Sequence, residues 1–195
     1  MKVSVLGDIH GETQTVFELL NQDKTVIQLG DFGFAKAYER ILLHPKVDNL
    51  MVIGGNHDEY PVLVCMPFYL GNFGLIPGTS STFFVRGAMS IDKQKRTQNI
   101  DWWKEEELSF QEANEMLDAY ERFKPGIVIT HDCPTEIKNH YCCGSFTSKM
   151  LSECISIHKP NLWVYGHHHV PTFEYYKGTL YRCLGIDEVL EVELA

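Results

Sequence analysis

Short apolar runs recur along this chain, and five of them stop at residues that bind metals or move protons. Val3 to Leu6 leads into Gly7-Asp8-Ile9-His10, and Val26 to Leu29 into Gly30-Asp31. Leu50 to Ile53 leads into Gly54-Gly55-Asn56-His57-Asp58, Ile127 to Ile129 into Thr130-His131-Asp132, and Leu162 to Tyr165 into Gly166-His167-His168-His169. Such runs read as strands, and the stretches between the first of them carry helical periodicity. Val16, Phe17, Leu19 and Leu20 share one side of a segment opened by Glu12 or Thr13, and Ala37, Ile41 and Leu42 mark a helix that ends before Pro45.

From Pro61 to Ile91, Gly and Pro punctuate β-type runs (Phe73 to Ile76, Thr82 to Val85, Ala88 to Ile91), which predicts a meander. Ser109-Phe110-Gln111-Glu112 has the form of a capping box. It opens a helix carrying Ala113, Met116, Leu117, Tyr120 and Phe123, which Pro125-Gly126 stops. An irregular loop is expected to about Gly144, then a helix from about Thr147 to His158. Tyr175 to Arg182 reads as a hairpin turning at Lys177-Gly178, and Glu188 to Leu194 as a final edge strand. Both halves are β-rich with flanking helices. The pattern therefore predicts an α/β fold in which two sheets pack together and helices cover the outside. No repeat or linker divides the chain, so residues 1–195 read as one domain.

Composition narrows this picture little. An apolar content of 44% is ordinary for a globular protein. No apolar stretch reaches the roughly 18 to 20 residues of a membrane helix, and the N-terminus does not read as a signal peptide. A soluble, cytoplasmic protein is expected. The six cysteines contain no CxxC pair and fit reduced thiols; Cys142-Cys143 beside His140 reads as loop rather than as a soft-metal cluster. The net charge of -9 argues against sequence-independent nucleic-acid binding, though cations bound at a site would offset part of it.

The strand-end residues change the picture most. Ligands of open α/β sheets gather outside the carboxyl ends of the strands. Asp8 and His10 are two apart, so extended backbone points them the same way; the same alternation pairs His167 with His169 and sends His168 to the other side. Glycines at 7, 30, 54, 55 and 166 would let the backbone turn before each ligand. Carboxylate, imidazole and amide oxygen make a mixed N/O set that suits Mn, Fe, Zn, Co or Ni. Seven candidate ligands exceed what one tetrahedral zinc uses. They suit two ions about 3.5 to 4 Å apart that share a carboxylate, a design for phosphoester hydrolysis.

The ordered set Asp8-x-His10, Gly30-Asp31, Gly55-Asn56-His57-Asp58, His131 and Gly166-His167-x-His169 resembles the calcineurin-like metallophosphoesterase family, from residue 7 to residue 169. The resemblance implies a four-layered α/β/β/α sandwich of two mixed sheets flanked by helices. It also implies two divalent ions, manganese foremost, with Fe, Zn, Ni or Co open. Asp8, His10, Asp31 and His169 would hold the first ion; Asp31 would bridge to a second completed by Asn56, His131 and His167. A hydroxide between the ions would be the nucleophile, and His57 would contact phosphate and protonate the leaving oxygen. Protein Ser/Thr phosphatases and dinucleotide polyphosphatases carry Asp-Arg-Gly after the second motif, but here Asp31 is followed by Phe32-Gly33-Phe34-Ala35. That favours the small bacterial and phage phosphoesterases, which the stretch Arg86 to Asp92 and Trp102-Trp103 also resemble. It leaves His57 without its usual carboxylate, and Asp58 or Asp132 is the candidate substitute.

Elsewhere, Asp58 and Asp132 read as loop-ordering groups rather than ligands. His44, His140, His158 and His168 read as surface or packing residues. Lys93-Gln94-Lys95-Arg96 reads as a solvated loop with the neighbouring tryptophans buried, the alternative being that it embraces a phosphate; Arg86 and Arg182 are further phosphate candidates. The expected partner is a small phosphoester, monoester or diester. A non-catalytic metal-binding scaffold and a nuclease are the competing readings, and oligomeric state is left open.

Overall fold

In the computed structural model, which describes residues 1–137 and 145–194, strands and helices follow one another as β1 (Lys2–Leu6), α1 (Gln14–Asn21), β2 (Val26–Gln28), α2 (Ala35–Leu42), β3 (Leu50–Val52), α3 (Tyr60–Leu63), β4 (Phe73–Leu75) and β5 (Thr82–Val85). The second half runs α4 (Phe110–Phe123), β6 (Ile127–Thr130), α5 (Phe146–Ile157), β7 (Leu162–Tyr165), β8 (Thr172–Tyr176), β9 (Thr179–Cys183) and β10 (Val189–Glu193). One sheet has the order β10-β1-β2-β3, parallel except for the edge strand β10. The other has the order β4-β5-β6-β7-β9-β8, with parallel β5, β6, β7 and β9 between antiparallel edges.

Alternation along each strand divides its side chains between two apolar layers. Phe84, Ile129 and Val164 meet Val3, Val5 and Ile27 between the sheets. Their neighbours Phe83, Val85, Val128 and Trp163 pack instead on Met116 and Tyr120 of α4 and Leu151 and Cys154 of α5. Val26, Leu50 and Val52 cover the opposite outer face with Val16 and Leu20 of α1 and Tyr38 and Ile41 of α2. The result is the expected α/β/β/α sandwich, with strands buried on both faces as parallel sheets require.

Local chemistry explains the boundaries. Ser109 and Glu112 form the capping box, each side chain accepting from the other's backbone N–H at 3.2 and 2.7 Å. Lys177 (φ 50°) and Gly178 (φ 97°) make the two-residue turn between β8 and β9. Two expectations fail. Ala88 to Ile91 is not a strand, because Gly87 N–H donates to Gly54 O at 2.7 Å and Ala88 N–H to Glu106 O at 3.0 Å, which draws this segment out of the sheet. The region from Pro61 is not meander from its start, because Tyr60–Leu63 forms a short helix with Pro61 in its first turn, where its missing N–H loses no partner. The expected loop to Gly144, with His140, Cys142 and Cys143, lies partly outside the described residues. No described helix is long and apolar enough to cross a membrane.

Candidate metal centre

The parallel strands β1, β2, β3, β6 and β7 deliver their carboxyl ends to one region, and Gly166 N–H ties the last two together by donating to His131 O at 3.0 Å. There Asp8, His10, Asp31 and His169 bring potential ligand atoms within 4.8 Å of one another, and so do Asp31, His131 and His167. Asn56 joins the second group, its Oδ1 standing 3.0 Å from His131 Nε2. Asp31 belongs to both. His169 Nε2 lies 3.0 Å from Asp8 Oδ2 and 3.0 Å from His10 Nε2. All seven residues singled out by the motifs are thus brought together.

Several of them are held from behind. Leu29 O can only accept, so His131 Nδ1 donates to it at 2.8 Å and presents Nε2 to the cluster. Asn56 Nδ2 donates to Ser90 Oγ at 3.1 Å, which fixes Oδ1 on the opposite side. Asp58 accepts from the N–H groups of Asp31, Gly33 and Gly55 and from the Tyr38 hydroxyl, at 2.7 to 2.9 Å. It orders the loops, as expected. Asp31 Oδ1 accepts from His57 N–H at 2.7 Å, while buried Oδ2 has no hydrogen-bond partner.

The backbone departs from the extended geometry that the two-residue spacings implied. His10 (φ 44°), Asp31 (φ 54°), His167 (φ 65°) and His169 (φ 57°) all occupy the left-handed region, which non-glycine residues rarely visit. Strand alternation therefore does not set their directions. His167 and His169 serve different clusters rather than one side. The glycines act mainly by leaving space: a Cβ at Gly55 would stand 2.3 Å from Asp31 Oδ1, and one at Gly166 2.3 Å from Asp8 Oδ1.

Charge is unevenly compensated. Burial, with Asp8 and Asp58 nearby, raises Asp31 to about 7 despite the opposing His131. Burial also raises Asp58. Burial would raise Asp8 too, but the His169 hydrogen bond and the His131 charge bring it below the ordinary carboxylate value. Burial lowers His167 to about 3, and burial together with Arg96 lowers His57 to about 4. Three buried carboxylates, an orphaned Asp31 oxygen and a set of N and O donors fit a divalent cation pair.

His57 does not acquire a carboxylate from Asp58 or Asp132. Its Nε2 faces Arg96 Nη2 at 3.4 Å, and Arg96 is anchored by Asp92 Oδ1 at 2.8 Å and Asp101 O at 3.1 Å. The basic run is therefore not merely solvated, for its last residue turns into the site. No motif pointed to Arg96 beyond membership in that run. Trp103 is buried and Trp102 half-buried. Ile91, Asp92 and His168 complete the wall of a cleft of about 380 Å³ above Asp31, Asn56, His57, His167 and His169.

The other candidates go elsewhere. Arg86 is buried, bonded to Asn72 Oδ1 and Glu105 O and stacked over Tyr60, and Arg182 is taken by Thr172 O, Cys183 O and Glu188. His44 packs on Phe17 and His158 reaches Pro125 O, both structural. His168 differs from expectation, since it lines the cleft and meets Asp132 and Cys133.

A family model described as calcineurin-like phosphoesterase matches residues 1–171. Among solved structures, TT1561 of Thermus thermophilus superposes with a TM-score of 0.58 at 12% identity, over 98% of this chain and 99% of that one. Phosphopantetheinyl hydrolase (PptH) from Mycobacterium tuberculosis superposes with a TM-score of 0.54 at 16% identity, over 95% of this chain and 90% of that one. At such identities these likenesses establish a shared fold. No curated protein matches the chain at a significant level.

Proposed function

The chain belongs to the calcineurin-like phosphoesterase family, and on that premise we propose that it hydrolyses small phosphoesters with the help of two divalent cations. Asp8, His10, Asp31 and His169 would hold one ion, and Asp31, Asn56, His131 and His167 the other. The observation that carries this reading is the Asp31 carboxylate, which is shared by both clusters and buried with one oxygen that makes no hydrogen bond. Bound divalent ions would polarise a phosphoryl oxygen and lower the pKa of water. Manganese is the first ion to test, with Fe, Zn, Ni and Co all compatible with the donor set.

The chain's own groups supply the rest. With His57 near 4, its ring is neutral at neutral pH while the cleft holds no anion. A phosphate entering beside it places negative charge against Arg96 and His57 alike. That offsets the repulsion between them and raises the proton affinity of Nε2. His57 then holds the proton that the departing oxygen requires. Arg96, braced by Asp92 and Asp101, keeps its guanidinium beside the same phosphate. A cleft of about 380 Å³ suits a ligand of modest size.

The test is hydrolysis of nitrophenyl phosphomonoester and phosphodiester by protein loaded with each of the five metals. His57→Ala is expected to lower kcat by about 10²- to 10⁴-fold with metal content unchanged. Equal activity in that variant overturns the role of His57. Absence of hydrolysis with every metal overturns the hydrolase reading in favour of a binding scaffold.

A further inference from the structure

Next to the seven-residue centre stands a second kind of cluster that the proposed chemistry leaves unused. Asp132 and Cys133 follow His131 at the end of β6, and His168 sits between His167 and His169. Potential ligand atoms of Asp132, Cys133 and His168 lie within 4.8 Å of one another. His168 Nε2 is the common point, 3.5 Å from Asp132 Oδ1 and 3.5 Å from Cys133 Sγ.

Those two distances are informative. A direct imidazolium–carboxylate hydrogen bond closes to about 2.7 to 2.9 Å, and this contact does not. Zinc bonds of about 2.0 to 2.2 Å to nitrogen or oxygen and about 2.3 Å to sulfur, set at tetrahedral angles, separate neighbouring ligand atoms by about 3.3 to 3.6 Å. The nitrogen–oxygen spacing is therefore that of ligands around an ion, and the nitrogen–sulfur spacing, a hydrogen-bond length to sulfur in the metal-free protein, suits the same geometry.

The surroundings agree. Asp132 is braced as metal-binding carboxylates are, with Oδ1 accepting from Cys133 N–H at 2.8 Å and Oδ2 from Ser145 Oγ at 3.1 Å. Ser145 in turn caps α5, accepting from Ser148 N–H at 3.0 Å. Asp132 and Cys133 are fully buried, whereas His168 is half-buried and lines the cleft. Among the described residues, three ligands converge and one of them borders the cleft, as in zinc sites with three protein ligands. The thiolate also separates this set from its neighbour, since sulfur selects zinc-like ions over Mn.

We propose that Asp132, Cys133 and His168 form a third metal site, with one sulfur ligand, for zinc or a zinc-like divalent ion. An ion there would also tie the loop carrying His167 and His169 to the end of β6 carrying His131.

The test is titration of the full chain, stripped with chelator, with Co(II) under reducing conditions. Binding through sulfur gives a thiolate-to-cobalt charge-transfer band in the near ultraviolet, which the N/O centre cannot produce. The wild type is expected to show that band. Cys133→Ser and His168→Ala should each abolish it and bind one equivalent of cobalt fewer, while equivalents bound without the band persist. His168 is half-buried, so its variant stays interpretable where loss of the buried thiol impairs folding, which circular dichroism reports. A wild type without the band, a band that survives in either folded variant, or unchanged stoichiometry in both overturns the proposal.

Discussion

Removing the charge of Asp31 should stabilise the metal-free protein above neutral pH while weakening metal binding. Asp31 is buried, its Oδ2 lacks a hydrogen-bond partner, and burial with two neighbouring carboxylates raises it from 3.8 to about 7. Below 3.8 the group is protonated in both folded and unfolded chains and contributes no difference. Between 3.8 and about 7 the unfolded chain releases a proton that the folded one keeps, so stability falls as pH rises, and the loss is complete above about 7. At about 1.4 kcal/mol per pH unit the full loss is about 4 kcal/mol, a large part of the roughly 5 to 15 kcal/mol that holds a domain folded. His131, raised by Asp31 and Asp8 despite its burial, loses stability in the same direction.

Urea unfolding of the chelated protein from about pH 5 to about pH 8 tests this. The wild type should weaken across the range by up to about 4 kcal/mol, and Asp31→Asn, which cannot ionise, should follow a flatter curve and be the more stable protein at the upper end. Saturating manganese should reverse the order, because two ions that bind only the native state, each at a hundred times its Kd, add about 5.4 kcal/mol together, more than the ionised carboxylate costs. Parallel curves for the two chelated proteins, or a less stable Asp31→Asn at about pH 8, would refute the electrostatic account.

Three further outcomes follow from the geometry. Gly55→Ala and Gly166→Ala each place a methyl 2.3 Å from a carboxylate oxygen, of Asp31 and Asp8 respectively; each should cost about 1 to 3 kcal/mol in urea unfolding and weaken metal binding at least about tenfold by calorimetry. Arg96→Met should raise His57 from about 4 towards 6.5, as followed by ring-proton NMR of the chelated protein; an unmoved value would assign the depression to burial and the neighbouring His10 and His131. Ser90→Ala removes the acceptor of Asn56 Nδ2 and should weaken one of the two ions by about 10- to 100-fold while sparing the other; equal weakening of both would contradict the position given to Asn56.

The strand-end motifs were legible because parallel strands of one sheet share a direction, so the residues that follow β1, β2 and β3 emerge at one edge, as do those that follow β6 and β7 in the other sheet. The layers were legible for a related reason, since runs such as Phe83-Phe84-Val85 and Val128-Ile129 feed two cores at once. What stayed hidden was the direction in which each ligand points. Histidine at 10, 167 and 169 takes positive φ, and no local propensity announces that; only loops fixed by tertiary contacts hold it. Arg96 was hidden for the same reason. A lysine-rich loop reads as solvated, and what aims its last residue at His57 is a pair of contacts, to Asp92 and to the Asp101 carbonyl.

Asp58 links the strain and the charge of this centre. Its carboxylate collects N–H groups from the loops after β2 and β3 and a hydroxyl from α2, and so holds Asp31 in its left-handed conformation. The same negative charge adds to the burial that makes ionised Asp31 unfavourable. One residue therefore both arranges the ligand and raises its energy. Backbone strain of about 1 to 3 kcal/mol at each left-handed non-glycine residue acts in the same sense. Cations that neutralise Asp8 and Asp31 would meet a site already assembled, with the cost of assembling it met by the fold rather than at the moment of binding. That is the physical reason to expect tight metal binding from a set of side chains that, metal-free, works against the stability of the chain.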